Sequence, residues 1–405
     1  MTATTDEGAP LRIAVVYIAE AYQCYHGAAA ALRLAAAPGV EVTTFYFDPD
    51  TPRHVERIHR AFAAPSMRMQ PLHRSPVTRL LQGAKVLGSF KHLTLRDNRA
   101  MLDGFDAILT VENTVAMARD EGIRRPGLIY TPHGFGDRAY AFVGRIATFD
   151  FVLLAGRKTE ARMLQMGLIR SGDYALTGSI KLETAGKLAL SEAPPFADDK
   201  PIVLYNPHFQ PDLNSWSRFL EPMLSGFQAQ DRLNLIVAPH VKMFRKRSMR
   251  ARRRLEARST PSILIDTGSD RSVDSSYVSA ASIYVGDVSS QVYDFIAAPR
   301  PCVFLNGHGV DWRNDPNYTH WQLGDVVDDP ADVMAAIAAA PERHAIYRQR
   351  QEELAAETLG QRDGSASGRA AEAVLGFLRR ERSPATRAMA SAARTDEGSS
   401  LTSNV

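Results

Sequence analysis

The chain has 405 residues, 45% of them hydrophobic and 23% charged, with a net charge of +3. This is the balance of a soluble globular protein and excludes a largely disordered or collagen-like chain. The length predicts two domains rather than one. No run approaches the roughly 20 apolar residues of a membrane-spanning helix. The start, MTATTDEGAP, lacks the basic and then apolar character of a secretory signal, so a cytoplasmic protein is expected.

Charge is unevenly spread. Residues 245–258, RKRSMRARRRLEAR, hold eight Arg or Lys against one Glu, a net +7 that leaves the rest of the chain at −4. Such a patch, from Arg245 to Arg258, is either a solvated helix face or a surface for an anionic membrane or polyanion. Aromatic residues do not interleave with it, which speaks against nucleic acid as a partner. The two cysteines, Cys24 and Cys302, are too few for a disulfide framework or a four-thiolate zinc site and read as buried spectators.

In chain order, LRIAVVYI (11–18) is a β-branched apolar run, followed by an Ala- and Leu-rich helix over 27–37 and a second strand, VEVTTFYF (40–47). This is the βαβ rhythm of a parallel sheet covered by helices. The rhythm recurs in FDAILTVEN (105–113), PGLIYTPHG (126–134), FDFVLLAG (149–156) and YALTGSIKLE (174–183). A Pro-, Ala- and Asp-rich linker, SEAPPFADDKP (191–201), separates it from a second series: PIVLYNPHF (201–209), LNLIVAPHV (233–241), SILIDTG (262–268), ASIYVGDVSS (281–290) and RPCVFLNG (300–307). Helices are expected over 330–380 and disorder beyond Glu381. The predicted fold class is α/β, two Rossmann-like parallel-sheet domains facing a cleft. The expected divisions are a first Rossmann-like domain at 1–190, a second at 198–345, C-terminal helices at 346–381 and a tail at 382–405.

Open parallel sheets bind ligands outside the C-terminal ends of their strands, and the polar clusters fall at such ends. In GDVSSQVYDF (286–295), Gly286 and Asp287 turn the chain and Ser289 and Ser290 stand where a helix should begin, offering hydroxyls and free N–H groups to phosphate or simply capping the helix. Asp294 should share the face of Ser290. In PHGFGDRAY (132–140), His133 suits general base work, Asp137 could orient its imidazole and Arg138 could contact phosphate. His208 and His240 likewise follow strands, each after a Pro. Convergence of the three histidines on the cleft is favoured over a metal site, because no HExxH, HxH or carboxylate cluster accompanies them. GxGxxG with an acidic follower, GxxxxGK[ST] and GxSxG are all absent, which disfavours nicotinamide enzymes, P-loop NTPases and α/β-hydrolases.

The ordered series PHG (132–134), GSIKLE (178–183), YNPHF (205–209), APH (238–240), GDVSSQVYDF (286–295), RPCVFLN (300–306) and DGSASGRA (363–370) resembles the CDP-glycerol glycerophosphotransferase family, over residues 125–380. The resemblance implies a GT-B fold with the first domain on the acceptor side and the second holding the nucleotide, a CDP-linked nucleotide-diphosphate donor, and a glycan or lipid-linked acceptor in teichoic-acid-like or capsular polymer synthesis; the residues themselves offer no dedicated metal cage, and no cofactor is expected. His133 would match the family's base, His240 its phosphate-contacting histidine, and Ser289 and Ser290 its diphosphate-holding serines. The sequence departs from the family pattern where Phe135, Gly136 and Asp137 follow His-Gly, and where Ala-Pro-His-Val and Tyr-Asn-Pro-His-Phe stand for more typical segments.

Overall fold

The structure, a computed structural model, describes residues 9–83, 90–134 and 142–382. It contains two sheets in which every strand pair is parallel. The first has seven strands: β1 (Leu11–Tyr17), β2 (Val40–Tyr46), β3 (Arg68–Pro71), β4 (Ala107–Thr110), β5 (Gly127–Tyr130), β6 (Phe151–Leu154) and β7 (Tyr174–Leu176), in the order β3-β2-β1-β4-β5-β6-β7. The second has six: β8 (Ile202–Asn206), β9 (Asn234–Val237), β10 (Ile263–Ile265), β11 (Ile283–Gly286), β12 (Cys302–Leu305) and β13 (Asp325–Val327), in the order β10-β9-β8-β11-β12-β13. The α/β fold class read from the sequence is therefore correct.

The central strands are largely apolar because helices cover both faces; β4, β6, β9 and β12 are buried at every position. The two strands missed in the sequence, β3 (RMQP) and β13 (DVV), lie at sheet edges, where one side of the ladder is open and short polar sequences are tolerated. The short strand and Gly turn read over 174–183 are present, with β7 stopping at Leu176 and Gly178 turning the chain; beyond them Ser179 caps a helix over Ile180–Ala189 by accepting from the Leu182 N–H at 3.1 Å.

A continuous helix runs from Val333 to Leu359, through the boundary expected at 345. Its early residues Val333, Ile337 and Ala340 pack on one face of the second sheet, and Leu354, Ala355 and Leu359 on the other. The chain then crosses back. The last helix, Ala366–Arg382, lies against the first sheet, beside the helix Ala28–Ala35. Four successive alanines, Ala28 to Ala31, are fully buried there and let the two helices approach closely, with Ala370 and Val374 in the same core. Residues 383–405, most of the expected tail, lie outside the described residues.

DGSASGRA provides the anchor for this return. Arg369 binds Asp363 through two 2.8 Å contacts and donates to the Thr177 carbonyl at 2.8 Å, while the N–H and hydroxyl of Ser367 both bond to Glu183. Gly178 sits in the left-handed region at φ +81°, and a Cβ there would lie 2.6 Å from the Gln361 carbonyl oxygen. An ionic cluster also joins the lobes: Arg57, on the helix Thr51–Ala61, contacts Asp274 and Glu192 at 2.7 Å each.

Phe377 stacks on Phe151 with ring centroids 4.9 Å apart. Phe377→Ala should cost about 3–5 kcal/mol, read as a lower midpoint in chemical denaturation with an unchanged slope. An unchanged midpoint would show that the last helix is not part of the cooperative core.

Candidate active site

In each sheet the winding reverses once, between β1 and β4 and between β8 and β11. The loops leaving the C-terminal ends of these strands and of β5 and β9 enclose a cavity of about 440 Å³ between the two lobes. His133, His208 and His240 all line it, together with Ser289, Ser290 and Asp294. The lobes are close here. Gly134 adopts φ +104°, and a Cβ on it would lie 3.9 Å from Ser290 Oγ.

On the front wall, His133 Nδ1 lies 2.5 Å from the Val111 carbonyl oxygen. A carbonyl only accepts, so Nδ1 carries the proton and Nε2 presents its lone pair. The Gln23 side-chain amide nitrogen stands 3.3 Å from that Nε2 and 3.1 Å from Glu112 Oε2. Glu112 also pairs with Lys91 at 3.2 Å. Burial raises the Glu112 carboxyl, but His133, Lys91 and Gln23 outweigh it and hold the group below its usual range. At Nδ1 the ring is oriented by a backbone carbonyl. Asp137 and Arg138 themselves lie in 135–141, outside the described residues.

On the rear wall, His240 Nδ1 accepts from the Lys242 N–H at 3.2 Å, which leaves Nε2–H to donate into the cavity. Burial, then the charges of Lys242 and Lys181, push its pKa down to about 4, so the ring is neutral near pH 7. His208 Nδ1 accepts from the Gln210 N–H at 3.2 Å in the same way, and the rings of His208 and His240 are 6.0 Å apart.

The serine turn differs from the expectation of a capped helix. The helix that follows is only Gln291–Phe295, too short for a large macrodipole, and the Ser290 side chain does not cap it. Ser289 Oγ accepts weakly from the Gln291 N–H at 3.4 Å. What the turn offers a ligand is therefore hydroxyls and local N–H groups.

Asp287, expected to bind substrate, is buried beneath the wall at 1% exposure and does not line the cavity. Its carboxylate accepts from the N–H of His208, Ser215 and Val288 and from the Ser215 hydroxyl, at 2.7–3.0 Å. Its carbonyl accepts from His320 Nε2 and Trp321 Nε1. Burial raises its carboxyl and these donors partly compensate; the residue holds three loops in register. Asp294 does reach the cavity, but its Oδ2 is taken by Lys181 Nζ of the opposite lobe at 2.6 Å, and its Oδ1 is buried without a hydrogen-bond partner.

Sequence reasoning missed Gln23, Glu112 and the pairing role of Lys181. Their only sequence signal is position: Gln23 follows β1, Glu112 follows β4 and Lys181 follows β7. At the cleft mouth Glu20 of the front lobe meets Lys242 at 3.3 Å and Arg245 at 3.0 Å, so the basic segment begins at the cavity. Beyond it the helix Met249–Glu256 has no buried residue. Among the described residues, no group of three or more His, Cys, Asp or Glu could hold a metal ion, and no helix is long and apolar enough to cross a membrane.

No family model and no curated protein matches the chain. Solved structures do. A variant of the wall teichoic acid polymerase TagF with CDPG aligns at TM-score 0.62 and 10% identity, over 94% of this chain and 92% of that one. S. aureus MnaA with UDP aligns at 0.61 and 13%, over 91% and 97%. The UDP-GlcNAc 2-epimerase from Neisseria meningitidis bound to UDP-GlcNAc aligns at 0.61 and 13%, over 90% and 100%. At such identities the likeness shows the two-domain GT-B-like fold.

The neutral state of His240 in the fold has a pH signature. A histidine whose folded pKa is depressed contributes stability that is full above its unfolded pKa, near 6.5, and is lost as pH falls through that value toward about 4. His26 is held down too, by burial first and then by Lys181 and His133. His240→Asn should therefore flatten the acid limb of a stability-against-pH curve between about pH 6.5 and 4. A limb as steep as wild type would assign it to other groups.

Proposed function

We propose that the protein is a GT-B-like transferase that moves a glycerol-phosphate or related alditol-phosphate unit from a CDP-activated donor to a hydroxyl acceptor in cell-surface polymer synthesis. The observation that carries the reading is the meeting of His133 and Ser290 across one cavity, an imidazole whose Nε2 carries no proton facing a hydroxyl-bearing turn. His133 Nε2 takes the proton of the acceptor hydroxyl. The oxygen attacks the distal phosphorus, the bond to the bridging oxygen breaks, and CMP leaves with that electron pair. Ser289, Ser290 and the Nε2–H groups of His240 and His208 donate to the phosphate oxygens, a preorganised set of the kind that supplies much of an enzyme's rate. The family resemblance in sequence and the fold shared with a CDPG-soaked polymerase support the donor class.

The acceptor is a glycan or lipid-linked chain. The basic run from Arg245 to Arg258 leads away from the cavity mouth and fits an anionic inner-leaflet surface, which would make the protein cytoplasmic and peripheral. A second reading, a glycosyltransferase with a UDP-sugar donor, draws on the same fold in structures that carry UDP or UDP-GlcNAc. A non-catalytic anionic-glycan binder is the third.

His133→Ala should lower turnover by about 10²–10⁴-fold while donor affinity, measured by calorimetry, stays near wild type. Ser290→Ala should weaken donor binding by roughly ten- to hundredfold, the worth of one hydrogen bond to a charged group. Screening CDP- and UDP-linked donors for release of CMP or UDP separates the readings, and binding without nucleotide turnover would leave only the third. Neutralising Arg252, Arg253 and Arg254 should abolish binding to anionic liposomes; retained binding would take that role away from the basic run, and no binding by the wild type would remove the membrane from the scheme.

A further inference from the structure

Around His133 the loop after β1 and the loop after β4 bring together groups that neither general base chemistry nor packing accounts for. Gln23 is 2% exposed. Its amide nitrogen faces three acceptors: His133 Nε2 at 3.3 Å, Glu112 Oε2 at 3.1 Å and Glu20 Oε2 at 3.5 Å. Its amide oxygen is buried with no hydrogen-bond partner. The amide is thus oriented by its N–H groups alone, at the cost of an unsatisfied carbonyl. With Nδ1 fixed on the Val111 carbonyl, His133 is gripped at both nitrogens.

We propose that Gln23 and Glu112 are a positioning pair that sets the proton affinity of His133 from opposite directions, the Gln23 amide favouring the neutral ring and the Glu112 carboxylate favouring the ring that has taken a proton. This deepens the reading of His133 as the base and rests on it. An N–H donated to Nε2 is possible only while that nitrogen is unprotonated. Once Nε2 holds the acceptor's proton, the Gln23 contact is lost and the new positive charge is balanced by Glu112 through space. The pair therefore keeps the base empty before transfer and limits how tightly it retains the proton afterwards.

The other charged and titratable groups about this ring fit the scheme. His26, ring centroid 6.2 Å away, is held neutral by burial. Lys91 partly offsets Glu112. Glu20 is occupied by Lys242 and Arg245. Lys181, which acts on His26, is paired with Asp294. Asp137 and Arg138, next in the chain, lie outside the described residues.

The test is an NMR titration of the His133 imidazole in the full-length, unliganded protein, its signal assigned by its loss in His133→Asn. Gln23→Met should raise the His133 pKa and Glu112→Gln should lower it, each by on the order of one unit. A merely structural role would not give opposite signs. Should Glu112→Gln fail to fold, Lys91→Met, at a half-buried side chain, takes its place and should raise the pKa by uncovering the carboxylate. The proposal is overturned if Gln23→Met and Glu112→Gln shift the pKa in the same direction, if neither shifts it, or if Lys91→Met lowers it. No donor or acceptor enters the titration. Opposite shifts in a protein that turns over no nucleotide donor would sustain the pair and remove only the transferase reading.

Discussion

The molecule depends on one topological constraint: a parallel sheet that winds both ways must leave a crevice where it reverses, because the loops on either side of that point depart in opposite directions. Two such sheets, set with their C-terminal ends toward each other, turn two shallow crevices into one enclosed space. Gln23 and Glu112 belong to the first reversal, the loops of His208 and of Ser289 and Ser290 to the second. Nothing in the local sequence needs to encode the meeting of residues 110 positions apart, such as Gln23 and His133; the sheets impose it.

Several motif-like segments do mechanical work at that meeting place. The family-like GSIKLE and DGSASGRA fasten the last helix to the first sheet through Glu183, Ser367, Arg369 and Asp363. Within GSIKLE, only Lys181 turns toward the cavity, where it neutralises Asp294. In GDVSSQVYDF the division is similar. Asp287 uses its whole carboxylate to hold loops from β8 and β11 together, and the serines beside it face the open space. A charge buried with four donors is a rigid staple, since loss of the carboxylate would strand those donors without partners.

The architecture was legible because a two-faced sheet demands unbroken apolar runs, and those runs stand out in the sequence at β1, β4, β9 and β11. The edge strands β3 and β13 were not legible, since an edge needs no such run. The three Pro-preceded histidines could be placed at the cavity because each follows a strong strand. The place of Asp287 beneath the wall was not legible for a physical reason: a polar residue at a strand end looks the same whether it faces the ligand space or the layer beneath, and only the neighbouring loop's N–H groups decide. Gln23 and Glu112 carried no pattern at all. The short helix at Gln291–Phe295 shows the limit of reading helix starts from a serine pair, since length is set by packing downstream.

Among the described residues the backbone passes between the lobes twice, once in the segment after the helix Ile180–Ala189 and again between Leu359 and Ala366. Two covalent crossings define a line, as the pins of a door do. Ion pairs also bridge the lobes, Glu20 with Lys242 and Arg245 and Lys181 with Asp294. Severing the chain near residue 360 would remove one pin, and with it a covalent restraint on the alignment of the imidazole with the hydroxyls.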